Sequence, residues 1–147
     1  MNDRVDRASK LYDGGLYCSQ AVLGAFCEEY GVDEGLAYKI SFGLNSGCRC
    51  ADVCGAVSGA ILVIGLKYGD VKNLCNLKTE EYTDAFRRKN GSIICRELLG
   101  CDISTQKGKL KALTENLFST RCRDMVASAA QILIDLGYGR RKKLAGI

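Results

Sequence analysis

The longest apolar stretch of the chain, VCGAVSGAILVIGL at Val53–Leu66, decides how it folds. It is too short to cross a bilayer, so its length predicts a buried helix. Asp52 just before it predicts the helix N-cap, and Gly69 predicts the end of the helix. Gly55 and Gly59 lie four residues apart on one face. Their missing side chains predict that another backbone packs closely there, either within the chain or across a homodimer.

Helical periodicity continues on both sides of this segment, and strand-like alternation does not occur. The chain contains no Pro, which suits uninterrupted helices. The expected helices cover residues 4–13, 18–30, 33–42, 52–68, 79–89, 93–99 and about 119–136. Loops are expected at 43–50, through Cys75 and over 101–109, and 110–118 suits either a separate helix or the last one. The sequence therefore predicts an all-α, compact, single-domain helical bundle of about six or seven helices over residues 1–147.

The composition excludes several classes of protein. A net charge of +4 does not indicate a nucleic-acid partner, and the basic run at 140–143 is expected to be a solvated tail. The chain has no His, which removes the commonest general base and any mixed Cys/His zinc site. It lacks both the phosphate-binding GxxxxGK[ST] pattern and a GxGxxG pattern following a strand. The charged N-terminal residues carry no apolar signal region, so we expect a cytoplasmic protein that does not insert into membranes.

Cysteine is the residue in excess, with nine copies. In a reducing compartment, many cysteines indicate metal ligands, redox groups or buried core thiols. Four of them are expected in the first turn of four different helices, where free N–H groups and the helix dipole favour thiolate. These candidate cofactor-binding and metal-binding residues are Cys18, Cys54, Cys95 and Cys122.

The other five cysteines follow different patterns. Cys27 is expected on the opposite side of its helix from Cys18 and is interpreted as packing. Cys75 and Cys101 are interpreted as incidental loop residues. Cys48 and Cys50 form a C-x-C pair just before Cys54, a spacing that matches no standard zinc or ferredoxin pattern but leaves a local metal hook open.

The hexapeptide CGAVSG at Cys54–Gly59 matches C-G-A-x-x-G. Together with Cys18 in CSQAV, Cys95 in GSIICRELLG and Cys122, this ordered set resembles the C_GCAxxG_C_C family of redox-active proteins over nearly the whole chain. The resemblance implies redox chemistry at the four cysteines for which the family is named. Cys48 and Cys50 depart from the family's glycine-rich loop, which leaves open whether more than four cysteines take part.

Similar sequence occurs in split-Soret cytochromes c, where an iron–sulfur centre has been proposed beside the haems. This chain has no His and no C-x-x-C-H, so it cannot attach c-type haem. The first functional hypothesis is an iron–sulfur cluster, held by the four cysteines, that passes electrons to an unidentified redox partner protein. The alternatives are a structural zinc site with four cysteine ligands, a metal-free thiol/disulfide oxidoreductase or redox sensor, and a helical interaction domain with buried thiols. The split-Soret relatives dimerise, which favours a homodimer.

Overall fold

A computed structural model describes residues 3–139, and within this range the chain forms eight α-helices and no strand. Seven of these helices have at least seven residues, and the all-α prediction is confirmed. The helices are α1 (Asp3–Asp13), α2 (Cys18–Phe26), α3 (Glu34–Ser41), α4 (Gly55–Tyr68), α5 (Lys72–Asn90), α6 (Cys95–Leu99), α7 (Gln106–Thr114) and α8 (Arg123–Asp135).

Helix α4 is the centre of the bundle and packs against α2, α5 and α8. It is apolar on nearly all sides, and such a helix is stable only when neighbours cover it. Its fully buried side chains are Ala56, Val57, Ala60, Val63 and Ile64. No helix within residues 3–139 is long and apolar enough to span a membrane.

Helices α2 and α4 approach each other at a glycine, as the sequence predicts. A Cβ atom at Gly59 would lie 2.6 Å from the Ser19 carbonyl oxygen and 3.2 Å from the Ser19 Cα. Backbone atoms cannot yield to such a contact, so only glycine fits at this position. The small-residue face is therefore used for packing within the chain.

The predicted N-cap of the central helix is wrong. Helix α4 begins at Gly55 with Cys54 as its N-cap, and no side chain caps it. The Asp52 carbonyl oxygen instead accepts a hydrogen bond from the Cys95 N–H at 2.6 Å. A backbone pairing from a distant segment thus determines where this helix begins.

Two predicted loops are shorter than expected. Helix α5 begins at Lys72, so Cys75 is helical, because no Gly or Pro interrupts the chain until the left-handed Gly91 ends this helix. Helix α7 begins at Gln106, where the Thr105 side chain accepts a hydrogen bond from the Gly108 N–H at 3.0 Å. Helix α7 is separate from α8, which settles the alternative left open for residues 110–118.

The last helix is preceded by a wide helical turn over Phe118–Cys122. The Cys122 N–H donates to the Leu117 carbonyl at 3.0 Å, and Cys122 already has helical backbone angles. The chain therefore enters α8 without the free helix start expected for Cys122. The basic run at 140–143, expected to be a solvated tail, lies outside the described residues.

Replacing Gly59 with Ala tests the contact between α2 and α4. The added methyl group would force the two backbones apart, so we expect the free energy of unfolding to fall by about 1–3 kcal/mol. Chemical denaturation monitored by circular dichroism measures this change. Gly65→Ala is the matched control, because a Cβ there meets nothing within 4 Å and Ala favours the helix by up to about 1 kcal/mol. Equal stability of the two variants would contradict the proposed tight contact.

Candidate functional site

Cys54 and Cys95 are brought together by one antiparallel β-bridge between Val53 and Ile94. The Cys54 N–H donates to the Ile93 carbonyl at 2.7 Å, and the Cys95 N–H donates to the Asp52 carbonyl at 2.6 Å. These two short hydrogen bonds hold the N-terminal ends of α4 and α6 side by side. Both cysteines are buried, with 8% and 7% of their surface exposed.

The packing of α2 against α4 places Cys18 beside Cys54. It is the first residue of α2, one residue before the Ser19 that meets Gly59. A Cβ at Gly55 would overlap the Cys18 sulfur, so the glycine that follows Cys54 makes the space in which this sulfur lies. The Gly in the C-G-A-x-x-G pattern thus has a direct structural role beside two of the cysteines.

Cys122 is positioned by polar contacts on both sides of the turn that contains it. The Arg121 guanidinium donates to the Leu98 carbonyl of α6 at 2.8 Å. On the other side, the Tyr12 hydroxyl donates to the Phe118 carbonyl at 2.7 Å. Arg123 adds two hydrogen bonds to the Asp13 carboxylate, at 2.8 and 3.0 Å. The turn is therefore fixed between α1 and α6.

All four cysteines predicted as site residues line a single pocket of about 600 Å³. Its other walls are mainly apolar and include Leu98, Leu99, Ile103, Phe118 and Met125. Among residues 3–139, no group of three or more His, Cys, Asp or Glu side chains is arranged to hold a metal ion. The sulfur-bearing side chains thus surround a cavity rather than converge on a point, and their role as ligands stays a prediction.

Burial makes the pocket thiols weak acids when no metal is present. It raises the pKa of Cys95 and Cys122 to about 12, and the neighbouring cysteines add to this effect. The pKa values of Cys18 and Cys54 are also raised, mainly by burial. Backbone N–H groups, including that of Ala56, lower both of these pKa values but do not overcome burial. The expectation that helix starts leave these cysteines as thiolates is therefore wrong for the metal-free chain.

The expected positions at helix starts hold for three of the four cysteines. Cys18 and Cys95 are the first residues of α2 and α6, and Cys54 is the N-cap of α4. Cys122 differs because it ends the wide turn over Phe118–Cys122 and continues into α8 with helical backbone angles. The N-termini of α2 and α4 therefore present N–H groups to the pocket, whereas the N–H of Cys95, at the start of the five-residue α6, donates to the Asp52 carbonyl.

Sequence reasoning missed the basic and hydroxyl groups of the pocket. Arg49 and Lys109 line it, and they are the two basic residues of the described chain that do so. Tyr12 also lines it and lies within hydrogen-bonding reach of Cys122. No local motif marks these residues, since they come from the loop before α4, from α7 and from the end of α1.

Cys101 lies in a bend after α6, which agrees with its prediction as a loop residue, and it does not line the pocket. It is half-buried and packs beside Cys95, Leu99 and Ile103. A charge on Cys101 would raise the pKa values of both Cys95 and Cys122. The left-handed Gly100, which turns the chain back after α6, is the sequence signal that could have placed it there.

Cys48 and Cys50 do not line the pocket, although their loop does. Both are exposed, whereas Ser46 and Arg49 of the same loop are among the lining residues. Cys27 and Cys75 are absent from the lining as well, and Cys27 is fully buried in the core as predicted.

The loop that carries Cys48 and Cys50 has an unusual backbone. Every residue from Ser46 to Arg49, and then Ala51, has a positive φ of 54–63°. Left-handed backbone costs about 1–2 kcal/mol for each residue that is not glycine. Gly47 is required here, because a Cβ would overlap the backbone of Asp52. Strain of this kind persists where the surrounding structure imposes it and is concentrated at functional sites.

A comparison with protein-family models matches residues 16–136 to C_GCAxxG_C_C, which is described as "putative redox-active protein". The chain belongs to the C_GCAxxG_C_C family. No curated protein and no solved structure gives a significant match. In this C_GCAxxG_C_C protein, the four cysteines of the family pattern and the Gly that follows Cys54 line the pocket.

The two classes of cysteine predict different rates of alkylation in the metal-free protein. At pH 8, a pKa of about 12 leaves roughly one Cys95 or Cys122 thiol in 10⁴ as the reactive thiolate. We expect N-ethylmaleimide to modify the exposed Cys48 and Cys50 first and the four pocket cysteines at least tenfold more slowly. Peptide mass spectrometry over a time course measures the order, and denatured protein is the control in which the difference disappears. Rapid labelling of the pocket cysteines in the folded, metal-free protein would contradict the structure.

Proposed function

We propose that this protein is an electron-transfer protein in which Cys18, Cys54, Cys95 and Cys122 bind an iron–sulfur cluster. The observation that carries this proposal is that four cysteines from four separate segments line one apolar pocket. Membership of a redox-active family supports it. A redox partner protein would deliver and remove the electrons.

The donor set fits an iron–sulfur cluster. Four thiolates complete the coordination of a [2Fe–2S] or [4Fe–4S] cluster, and no His is available in this chain. A single zinc ion needs its sulfur ligands to converge within about 2.3 Å of one point. A ring of cysteines around a cavity of about 600 Å³ suits a larger, polynuclear group better. When bound, such a cluster supplies one-electron redox chemistry.

The residues around the cysteines suit a buried, charged centre. Four thiolates bring a large negative charge into an apolar pocket, which is costly unless it is offset. Arg49 and Lys109 supply positive charge at the pocket. Backbone N–H groups at the starts of α2 and α4, including that of Ala56, lie near the Cys18 and Cys54 sulfurs. The apolar side chains restrict water, which protects the bonds between sulfur and metal.

Anaerobic purification tests the proposal directly. We expect a brown protein with iron and sulfide in equal amounts, and we expect Cys→Ser substitution at 18, 54, 95 or 122 to lower the iron content by at least half. Cys75→Ser is the matched control, because Cys75 is a half-buried cysteine that does not line the pocket. Absorption spectra and metal analysis give both results.

Other results would identify a different function. A colourless protein with one zinc ion per chain would replace the cluster with a structural site. A metal-free protein that loses two hydrogens on oxidation, with the loss confined to pocket cysteines, would indicate a thiol/disulfide oxidoreductase. Either result would contradict the electron-transfer proposal.

We expect Tyr12 to affect the reduction potential of the cluster without being one of its ligands. The Tyr12 hydroxyl lies close to Cys122 and, in the metal-free chain, donates its single hydrogen to the Phe118 carbonyl. We propose that this hydrogen turns to the Cys122 sulfur when a bound metal makes that sulfur a thiolate. Hydrogen bonds to ligand sulfur atoms raise the reduction potential of iron–sulfur centres. We therefore expect Tyr12→Phe to keep its iron and to lower the midpoint potential by about tens of millivolts.

Potentiometric titration of the Tyr12→Phe protein measures that shift. Tyr30→Phe is the control, because the Tyr30 hydroxyl pairs with the Gly139 N–H and lies outside the pocket. An unchanged potential in Tyr12→Phe would remove Tyr12 from the site.

A further inference from the structure

We propose that Cys48 and Cys50 form an exposed dithiol that reduces small anionic disulfides by thiol–disulfide exchange, as a site separate from the cysteine pocket. Of the nine cysteines, these two are exposed and the other seven are buried or half-buried. Neither lines the pocket, so the function proposed above does not use them. The inference does not depend on the presence of a cluster.

The backbone between the two cysteines favours a disulfide. An extended middle residue would hold their Cα atoms roughly 7 Å apart, at the upper limit of the span that a disulfide bridges. Arg49 instead has φ 63° and ψ 12°, a turn conformation that shortens this distance. The Asp52 N–H donates to the Gly47 carbonyl at 3.1 Å and closes the turn around the pair. The loop therefore holds the two cysteines in a conformation compatible with ring closure.

The charges around the pair favour an anionic substrate. Arg49 lies between the two cysteines in sequence, and its guanidinium donates to Asn45 Oδ1 at 3.0 Å. Arg49 also lines the cysteine pocket, so the two sites share this cation but no thiol. A second guanidinium, that of Arg96, donates to the Ala51 carbonyl at 3.1 Å. The exposed Asp52 is a carboxylate of the same loop, and Asp102 interacts with Arg96, so Arg49 is the cation that lies nearest to both cysteines in the chain. A small disulfide that carries carboxylates would be attracted to this position.

The reaction is balanced without a metal. The thiolate of one cysteine attacks a sulfur of the substrate disulfide, forms a mixed disulfide and releases one thiol after protonation. The second cysteine then attacks the protein sulfur of the mixed disulfide. The Cys48–Cys50 bond forms, and the second substrate thiol leaves. Two electrons and two protons pass from the protein to the substrate, and an external dithiol such as dithiothreitol restores the pair by the same exchange.

Proteolytic cleavage on the N-terminal side of aspartate residues places Cys48 and Cys50 in one peptide for analysis. Cleavage before Asp33 and Asp52 yields a peptide, residues 33–51, whose two cysteines are Cys48 and Cys50. After anaerobic treatment of the whole protein with glutathione disulfide, we expect this peptide to lose two hydrogens and the solution to gain two thiols per chain. Trypsin would then cut after Lys39 and Arg49, and the fragments 40–49 and 50–51 would stay joined until reduction.

Single variants separate ring closure from simple thiol reactivity. In the Cys48→Ser and Cys50→Ser proteins, the reaction should end at the mixed disulfide. The peptide should then carry one glutathione, and one thiol per chain should be released. Cys75→Ser is the matched control and should close the ring as the original protein does. Two glutathiones on the original peptide, or a ring formed elsewhere, would overturn the proposal.

Arg49→Gln tests the preference for anions. We expect the rate with glutathione disulfide to fall at least threefold at low salt, while the rate with the cationic disulfide cystamine stays the same or rises. Equal effects on both disulfides would refute the charge preference.

Iron content distinguishes this site from the pocket centre. The Cys48→Ser and Cys50→Ser proteins should keep the iron content and visible spectrum of the original protein. Loss of iron would make these residues cluster ligands and would overturn the separate site while leaving the pocket centre in place. If the disulfide between Cys48 and Cys50 forms in a protein that contains no iron, the dithiol proposal is supported and the electron-transfer proposal is contradicted.

Discussion

The close approach of α2 to α4 is the constraint on which the rest of the structure depends. Because Gly59 has no Cβ, the Ser19 carbonyl can lie against the α4 backbone. The same approach one turn earlier brings the Cys18 sulfur over Gly55, beside Cys54. Burial of the apolar α4 among its neighbours stabilises this arrangement. The meeting of Cys18 and Cys54 therefore follows from core packing and needs no bond between the cysteines.

The remaining walls of the pocket depend on polar contacts between distant segments. A two-bond bridge places Cys95 beside Cys54, and Arg121 and Tyr12 hold the turn that contains Cys122. In each contact, a backbone carbonyl accepts a hydrogen bond from a segment far away in the chain. These contacts fix the backbone segments that carry the four cysteines, so a bound cluster would require movement of side chains rather than of helices.

The nine cysteines fall into groups that suit different chemistry. The pocket thiols are shielded and remain protonated in the metal-free chain, as expected of groups that become thiolates only when a metal compensates their charge. Cys48 and Cys50 face solvent on a strained, left-handed loop. Cys27 packs as a core residue. Burial and backbone conformation, rather than residue type, separate these roles.

The sequence by itself determined the helical class, the buried central helix, the close approach at its glycines and the order of the four family cysteines, because these depend on local periodicity and on short-range sterics. It misplaced the start of α4, interpreted Cys75 as a loop residue and assigned Cys122 to a free helix end. It also offered no signal for Tyr12, Arg49 or Lys109. Only the tertiary structure decided these points, because they depend on hydrogen bonds, burial and charge between segments that are far apart in the chain. The acidity of the thiols is the clearest case, since desolvation by the assembled core outweighs the helix N-termini.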